Sequence, residues 1–174
     1  MTEAADYTQH HTNSYYGKDH MVRTFWSSFM DLADEKVLNA GCGRAQSVAE
    51  NPNWHGFDFN PNLDDIWNHL KVGDRCRVED ARYLSYENRS FDYVVSCDFL
   101  EHVKPSDLDD VANELLRVAP HGRHVIDRAL MSSWKTTTGE TLHPAAGLDA
   151  DMWVSLFGGT CKDHEKRGFW ILDY

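Results

Sequence analysis

The apolar run Val37-Leu38-Asn39-Ala40 breaks off into Gly41-Cys42-Gly43-Arg44-Ala45. Two closely spaced glycines after a strand let the backbone turn sharply and let a ligand approach the main chain. A second run, Trp54-His55-Gly56-Phe57, ends in Asp58, where a carboxylate is placed to accept hydrogen bonds from ribose hydroxyls. Together they describe a nucleoside-binding crevice at the carboxyl ends of neighbouring parallel strands. A dinucleotide fingerprint would need a third glycine, yet Arg44, Ala45 and Gln46 follow Gly43, and the phosphate-binding GxxxxGK[ST] loop is absent. His102, His143, Asp98 and Asp127 are the groups that could serve as a base toward an acceptor, and a histidine gains or loses its proton near neutral pH. His102 has a structural reading beside the catalytic one: its ring can hydrogen-bond a loop and shape the pocket.

These residues need elements to carry them. Residues 36–40 read as a first strand buried on both faces. The link to the next strand, near Trp54, is short and is spoiled by Asn51-Pro52-Asn53, so it holds a helix of one or two turns. Helical spacing of Met21, Val22, Phe25, Phe29 and Leu32 predicts a helix over 20–32. A helix over 63–70, strands at 75–79 and 91–96, and a helix opening at Pro105 and stopped by Gly122 follow. Residues 124–126 form the fifth strand, with Asp127 at its carboxyl end. Asp149-Ala150-Asp151 caps a short helix, and residues 160–163 and 169–172 form a terminal hairpin. Strands alternating with helices define an α/β fold.

Further segments occur in a fixed order: Arg77-Val78-Glu79-Asp80-Ala81-Arg82, then residues 90–103 with Phe91-Asp92-Tyr93-Val94-Val95 and Leu100-Glu101-His102-Val103, then residues 114–122 with Arg117-Val118-Ala119-Pro120-His121-Gly122. With the Gly41-Cys42-Gly43 turn, this series resembles the class I S-adenosylmethionine-dependent methyltransferases of type 11. The short first link and Asn39, where an acid is commoner, resemble a compact subtype.

The resemblance implies a Rossmann-like, seven-stranded, mostly parallel sheet with helices on both faces and a C-terminal antiparallel hairpin. It implies S-adenosylmethionine as cofactor and S-adenosylhomocysteine as product. Asn39, Ala40, Gly41 and Gly43 would border the methionine part, Asp58 the ribose and Phe59 the adenine edge. Asp80 would accept from the adenine amino group beside the Ala81 amide, and Cys97 and Asp98 would line the floor below the sulfonium. Ser14-Tyr15-Tyr16-Gly17 resembles a lid, with Tyr16 over the cofactor; Arg23 would pair with the methionine carboxylate, or simply lie exposed on its helix. His102 and His143 are the candidate catalytic residues, and the pocket for the acceptor would come from the N-terminal segment and the loop from 130 to 148. The acceptor expected is a small molecule, sugar or lipid-linked compound methylated at oxygen or nitrogen. A cofactor-cleaving enzyme on the same fold and a non-catalytic cofactor-binding module stand as alternatives.

At 174 residues the chain suits one methyltransferase domain, with residues 1–17 as a loose or lid segment. A net charge of −11 disfavours a nucleic-acid partner, which needs a basic face. Single, scattered cysteines at 42, 76, 97 and 161 and no secretory leader predict reduced thiols in the cytoplasm, and no apolar run is long enough to span a membrane. Among the ten histidines, His10-His11, His121 and His124 lack a partnering Cys or an HxxxH pattern, so no metal is expected.

Overall fold

Seven strands form one sheet in the computed structural model, which describes residues 25–128, 139, 141–165 and 168–174. They are β1 Val37–Ala40, β2 Trp54–Asp58, β3 Cys76–Val78, β4 Tyr93–Cys97, β5 His121–Asp127, β6 Thr160–Asp163 and β7 Phe169–Asp173. Across the sheet the order is β3-β2-β1-β4-β5-β7-β6, with β1 to β5 parallel and β7 antiparallel to both β5 and β6. The helices are α1 Gln46–Glu50, α2 Asp64–His69, α3 Leu108–Val118 and α4 Ala150–Phe157. The expected seven-stranded sheet, including the antiparallel insertion of the last strand, is therefore present.

Alternation along the central strands sorts their side chains onto two faces. Leu38 and Ala40 of β1, Val94 of β4 and Ile126 of β5 pack with the apolar stripe of α3 and with Trp153 and Phe157 of α4. Val37, Val95 and Val125 point the other way, against Phe25, Phe29 and Leu32. Those three aromatic and aliphatic residues are buried as their spacing demands, but the described part of the expected 20–32 helix is two 3-10 turns, Trp26–Ser28 and Met30–Leu32.

A second correction concerns Gly122, which does not end the helix before it. α3 stops at Val118 because Ala119 precedes Pro120, whose ring disfavours helical geometry in the preceding residue. Ala119 is accordingly extended, at φ −142° and ψ 138°. β5 then begins at His121 rather than at 124, and Gly122 lies inside it, where a Cβ would stand 2.2 Å from Cζ of Tyr174.

The five-residue α1 matters most, since it anchors the glycine loop. A helix this short cannot stand on its own hydrogen bonds. Arg75 supports it from outside, its guanidinium donating to the carbonyls of Val48, Asn51 and Trp54, each at 2.8 Å. The Asn51 side chain adds a bond to the Ser47 carbonyl at 2.7 Å. Replacing Arg75 by Ala leaves these carbonyls without their charged donor, so a stability loss of about 2–3 kcal/mol is expected. Urea unfolding should show it as a lowered midpoint with an unchanged slope.

Candidate active site

Because β1 to β5 run parallel, their carboxyl ends share one edge of the sheet, and strand order reverses at β1, which has β2 on one side and β4 on the other. Ligands of open α/β sheets bind at such a reversal. Two loops frame it: residues 41–45 leaving β1 and residues 98–103 leaving β4.

The first loop is wound by three consecutive alternate left-handed residues, Gly41 (φ 66°), Gly43 (φ 51°) and Ala45 (φ 58°). Ala45 thus takes, at about 1–2 kcal/mol of strain, a conformation that glycine adopts freely. Four contacts hold the loop. The Cys42 N–H donates to the Phe57 carbonyl at 2.9 Å, Trp67 Nε1 donates to the Gly43 carbonyl at 2.8 Å, and the Gly43 N–H donates to the Asp58 carboxylate at 3.0 Å. The Asn39 side chain, buried at the end of β1, donates to Ser47 Oγ at 2.8 Å and so ties the strand to α1.

Asp58 itself is buried, and its second oxygen accepts from the Asn60 N–H at 3.0 Å. The carboxylate therefore braces the glycine loop from the position assigned to ribose binding. Phe59 follows and is 38% exposed. Asp80 caps its own turn through the Arg82 N–H at 3.0 Å and pairs with the Arg82 guanidinium at 2.6 Å, which holds its carboxyl below the ordinary range despite partial burial. Ala81 packs against the main core beside it. Tyr16, Arg23 and residues 129–138 lie outside the described residues, and with them most of the expected acceptor loop.

Phe99 was not singled out by its sequence position, yet its ring covers Gly41: a Cβ there would be 2.5 Å from Phe99 Cδ2. A methyl group at Gly41 would meet both this ring and a left-handed backbone, together about 1–3 kcal/mol. Gly41→Ala is expected to weaken S-adenosylhomocysteine binding by about ten- to a hundredfold, measured by calorimetry.

The second loop leaves β4 at Cys97 and turns through Asp98, whose φ of 59° is one that Asp tolerates better than most residues. A 3-10 turn, Leu100–His102, follows. His102 Nδ1 donates to the Leu142 carbonyl at 2.7 Å, and the Ala145 N–H donates to the Glu101 carbonyl at 3.1 Å. These two bonds stitch the His143 segment to the loop across a sequence gap of about 40 residues, bringing the His102 and His143 rings edge to face at 4.5 Å. Since a carbonyl can only accept, Nδ1 carries the proton, and the Nε2 of a neutral His102 ring presents its lone pair toward Asp98 Oδ1, 3.8 Å away.

Glu101, which the motif contains but to which no role was assigned, is fully buried beside them. Its Oε1 accepts from the Asp127 N–H at 2.7 Å. Burial and the neighbouring Asp98 carboxylate push its pKa well up. Burial also raises Asp98, but hydrogen bonding and charge from His102, together with a hydrogen bond to Glu101 and the charge of His143, hold it below the ordinary range. The two expected histidines and Asp98 are thus brought together, with Cys97 at the base of the loop.

The doubly wound sheet, the glycine turn off β1 and the acid ending β2 define the class of nucleoside-cofactor enzymes with a Rossmann-like fold. Residues 38–126, just over half of the chain, match the methyltransferase domain family, and the chain belongs to it. It is an S-adenosylmethionine-dependent methyltransferase, as the ordered motifs led one to expect. Similar solved structures include the Burkholderia thailandensis 1,6-didemethyltoxoflavin-N1-methyltransferase with bound 1,6-didemethyltoxoflavin and S-adenosylhomocysteine, at 17% identity and TM-score 0.67 over 98% of this chain and 85% of that one. A Pyrococcus horikoshii protein aligns at 17% identity and TM-score 0.63, covering 94% of this chain and 91% of its own. A Methanosarcina mazei S-adenosylmethionine-dependent methyltransferase aligns at 19% identity and TM-score 0.61, covering 81% and 92%. No curated protein matches the sequence significantly. No helix among the described residues is long and apolar enough to cross a membrane.

Proposed function

We propose that this enzyme methylates a small cytoplasmic acceptor, a metabolite, sugar or lipid-linked compound, at oxygen or nitrogen. The observation that carries this reading is the meeting of two unlike surfaces at the β1 reversal. One is the glycine loop with Asp58 and Phe59; the other is the polar cluster of Asp98, His102 and His143. In this reading Ala40, Gly41 and Gly43 border the methionine part, Asp58 takes the ribose hydroxyls, Phe59 covers the adenine, and Asp80 and Ala81 face its amino group. Tyr16 and Arg23 complete the cover over the cofactor.

Methyl transfer is an in-line displacement. The acceptor's lone pair attacks the methyl carbon, and the C–S bond breaks with its electrons passing to sulfur, which becomes a neutral thioether. Oxygens at Cys97 and Asp98 offset the sulfonium charge before the step. Alignment is the main demand on the protein, and bound alignment can supply about 7–11 kcal/mol in favourable cases. A hydroxyl acceptor must also lose its proton, and His102 and His143 stand where that happens. A net charge of −11 opposes nucleic-acid acceptors.

The test is acceptor-dependent formation of S-adenosylhomocysteine from labelled S-adenosylmethionine across panels of hydroxyl- and amine-bearing metabolites. Labelled acceptor supports the reading. Cofactor breakdown without acceptor, or binding without turnover across the panels, would point instead to a lyase or a binding module.

A further inference from the structure

Asp98 and Glu101 leave β4 on the same loop, and their carboxyls meet. One carboxylate oxygen each from Asp98, Glu101 and Asp127 lies within 4.8 Å of the others, and the Glu101 and Asp98 carboxyls share a hydrogen bond. Ionised carboxylates only accept, so this bond needs a proton on one of the two. The surroundings decide which. Glu101 is fully buried, whereas Asp98 keeps 15% of its side chain exposed and has His102 Nε2 3.8 Å from its Oδ1. Charge costs least on the acid that reaches water and a basic ring. The other titratable groups agree: Asp127 faces Glu101 from the end of β5, with its N–H on Oε1 at 2.7 Å, while His102 and His143 group with Asp98.

We propose that Glu101 is a positioning residue of this site: as a neutral acid it donates to Asp98 and holds that carboxylate charged and in place beside His102. Burial and the Asp98 charge, which push the Glu101 pKa well up, serve the same end. Glu101 is itself gripped at two points. Its Oε1 accepts from the Asp127 N–H, which leaves Oε2 to donate, and its carbonyl accepts from the Ala145 N–H at 3.1 Å.

A neutral donor does here what a lysine or arginine would not. It fixes Asp98 without cancelling its charge, so the pair as a whole presents one negative charge. The use of that charge rests on the methyl-transfer reading; the shared proton does not. Before the step the charge offsets the sulfonium. As the acceptor oxygen attacks the methyl carbon and the C–S pair moves to sulfur, the acceptor proton passes to His102 Nε2, and the imidazolium forms against Asp98. The Leu142 carbonyl keeps the Nδ1 proton in place, and the proton between the two acids stays on Glu101.

The experiment follows the side-chain carboxyl carbons of the 13C-labelled full chain by NMR against pH, in wild type, Glu101→Gln and Glu101→Met, with Asp98 assigned from Asp98→Asn. Gln keeps an oxygen for the Asp127 N–H and an NH2 donor for Asp98; Met keeps the bulk and neither bond. At neutral pH wild type should show a glutamate carboxyl in its protonated form that is absent from Glu101→Gln. Asp98 should titrate alike in these two proteins, and about one pH unit or more higher in Glu101→Met. Urea unfolding reads the same proton. An unfolded glutamate ionises at about pH 4.3, so holding Glu101 protonated weakens the wild-type fold as pH rises, while Gln has no proton to lose. The folding constant of Glu101→Gln should therefore gain about tenfold over wild type per pH unit above about pH 5, until Glu101 itself ionises. A Glu101 ionised at neutral pH, or parallel stability profiles, would overturn the proposal, and both readings stand without the Met variant should it fail to fold. Affinities for S-adenosylmethionine and S-adenosylhomocysteine, measured in parallel, test the use of the charge. Preference for the charged cofactor should persist in Glu101→Gln and fall severalfold in Glu101→Met; equal preference in all three would remove the positioning role. A shared proton in a protein that binds neither compound would uphold the acid pair and remove the methyl-transfer reading.

Discussion

Asp58→Asn is expected to lower S-adenosylhomocysteine affinity by about a hundredfold or more while the protein stays folded. The size of the effect comes from what the carboxylate already does. Oδ2 accepts from the Gly43 N–H and Oδ1 from the Asn60 N–H, both at 3.0 Å, in a buried position. Asparagine offers one oxygen and one NH2 group, so whichever way it turns, one of these two amides faces another donor. A lost hydrogen bond to a charged group costs about 1.5–3 kcal/mol, and the loop it braces is the one proposed to border the cofactor. In the proposed reading, loop disorder and the loss of a ribose contact at Asp58 then add, which converts to the expected factor. Calorimetric titration measures the affinity, and urea unfolding should show a smaller stability loss of about 1–3 kcal/mol. Unchanged affinity would mean that neither the ribose nor the loop depends on this acid.

The elements legible in the sequence are those whose signal is local. β1 could be read because Val37 to Ala40 is apolar but for Asn39 and runs straight into glycine, and α1 because Asn51-Pro52-Asn53 leaves no room for a longer helix. α4 was readable from its cap, since Asp149 accepts from the Met152 N–H at 3.0 Å as an N-cap acid should. Gly122 misled because glycine also marks helix ends; what decides is Pro120 before it and the Tyr174 ring above it, and only the first is adjacent in sequence. In the site, Asp58 and the glycines announce themselves by standing at strand ends. Arg75, Trp67 and Phe99 do not, because their contacts with the glycine loop and α1 cross 24 to 58 residues. Glu101 was invisible for another reason: between Leu100 and His102 an acid reads as a surface residue, and burial alone gives it meaning.

A second large effect is expected from acid, and it acts on the sheet rather than on the site. His124 lies in β5 opposite Leu172 of β7, fully buried against the rings of Phe157 and Tyr174, which also stack on each other. Its Nδ1 shares a hydrogen bond with Ser96 Oγ at 2.7 Å. Burial lowers its pKa from 6.5 to about 3. The folded protein therefore keeps this ring neutral while an unfolded chain takes up a proton below about pH 6.5. The sign follows: stability from this group is complete above pH 6.5 and is lost as pH falls toward 3, at about 1.4 kcal/mol per pH unit. By pH 4 the loss reaches about 3 kcal/mol, a large part of the 5–15 kcal/mol typical of a domain. Carboxylates held low by arginines, such as Glu114 beside Arg117, also weaken the fold in acid, so a wild-type profile alone cannot isolate the histidine. His124→Gln can, because it keeps hydrogen-bonding capacity near Ser96 but takes up no proton in this range. Urea unfolding from pH 7.5 to 4 should show the variant less stable at neutral pH, from imperfect packing, and flatter in acid by about one proton. Parallel profiles for the two proteins would mean that β5 and β7 part to hydrate the ring before it is protonated, and that this junction is softer than its burial implies.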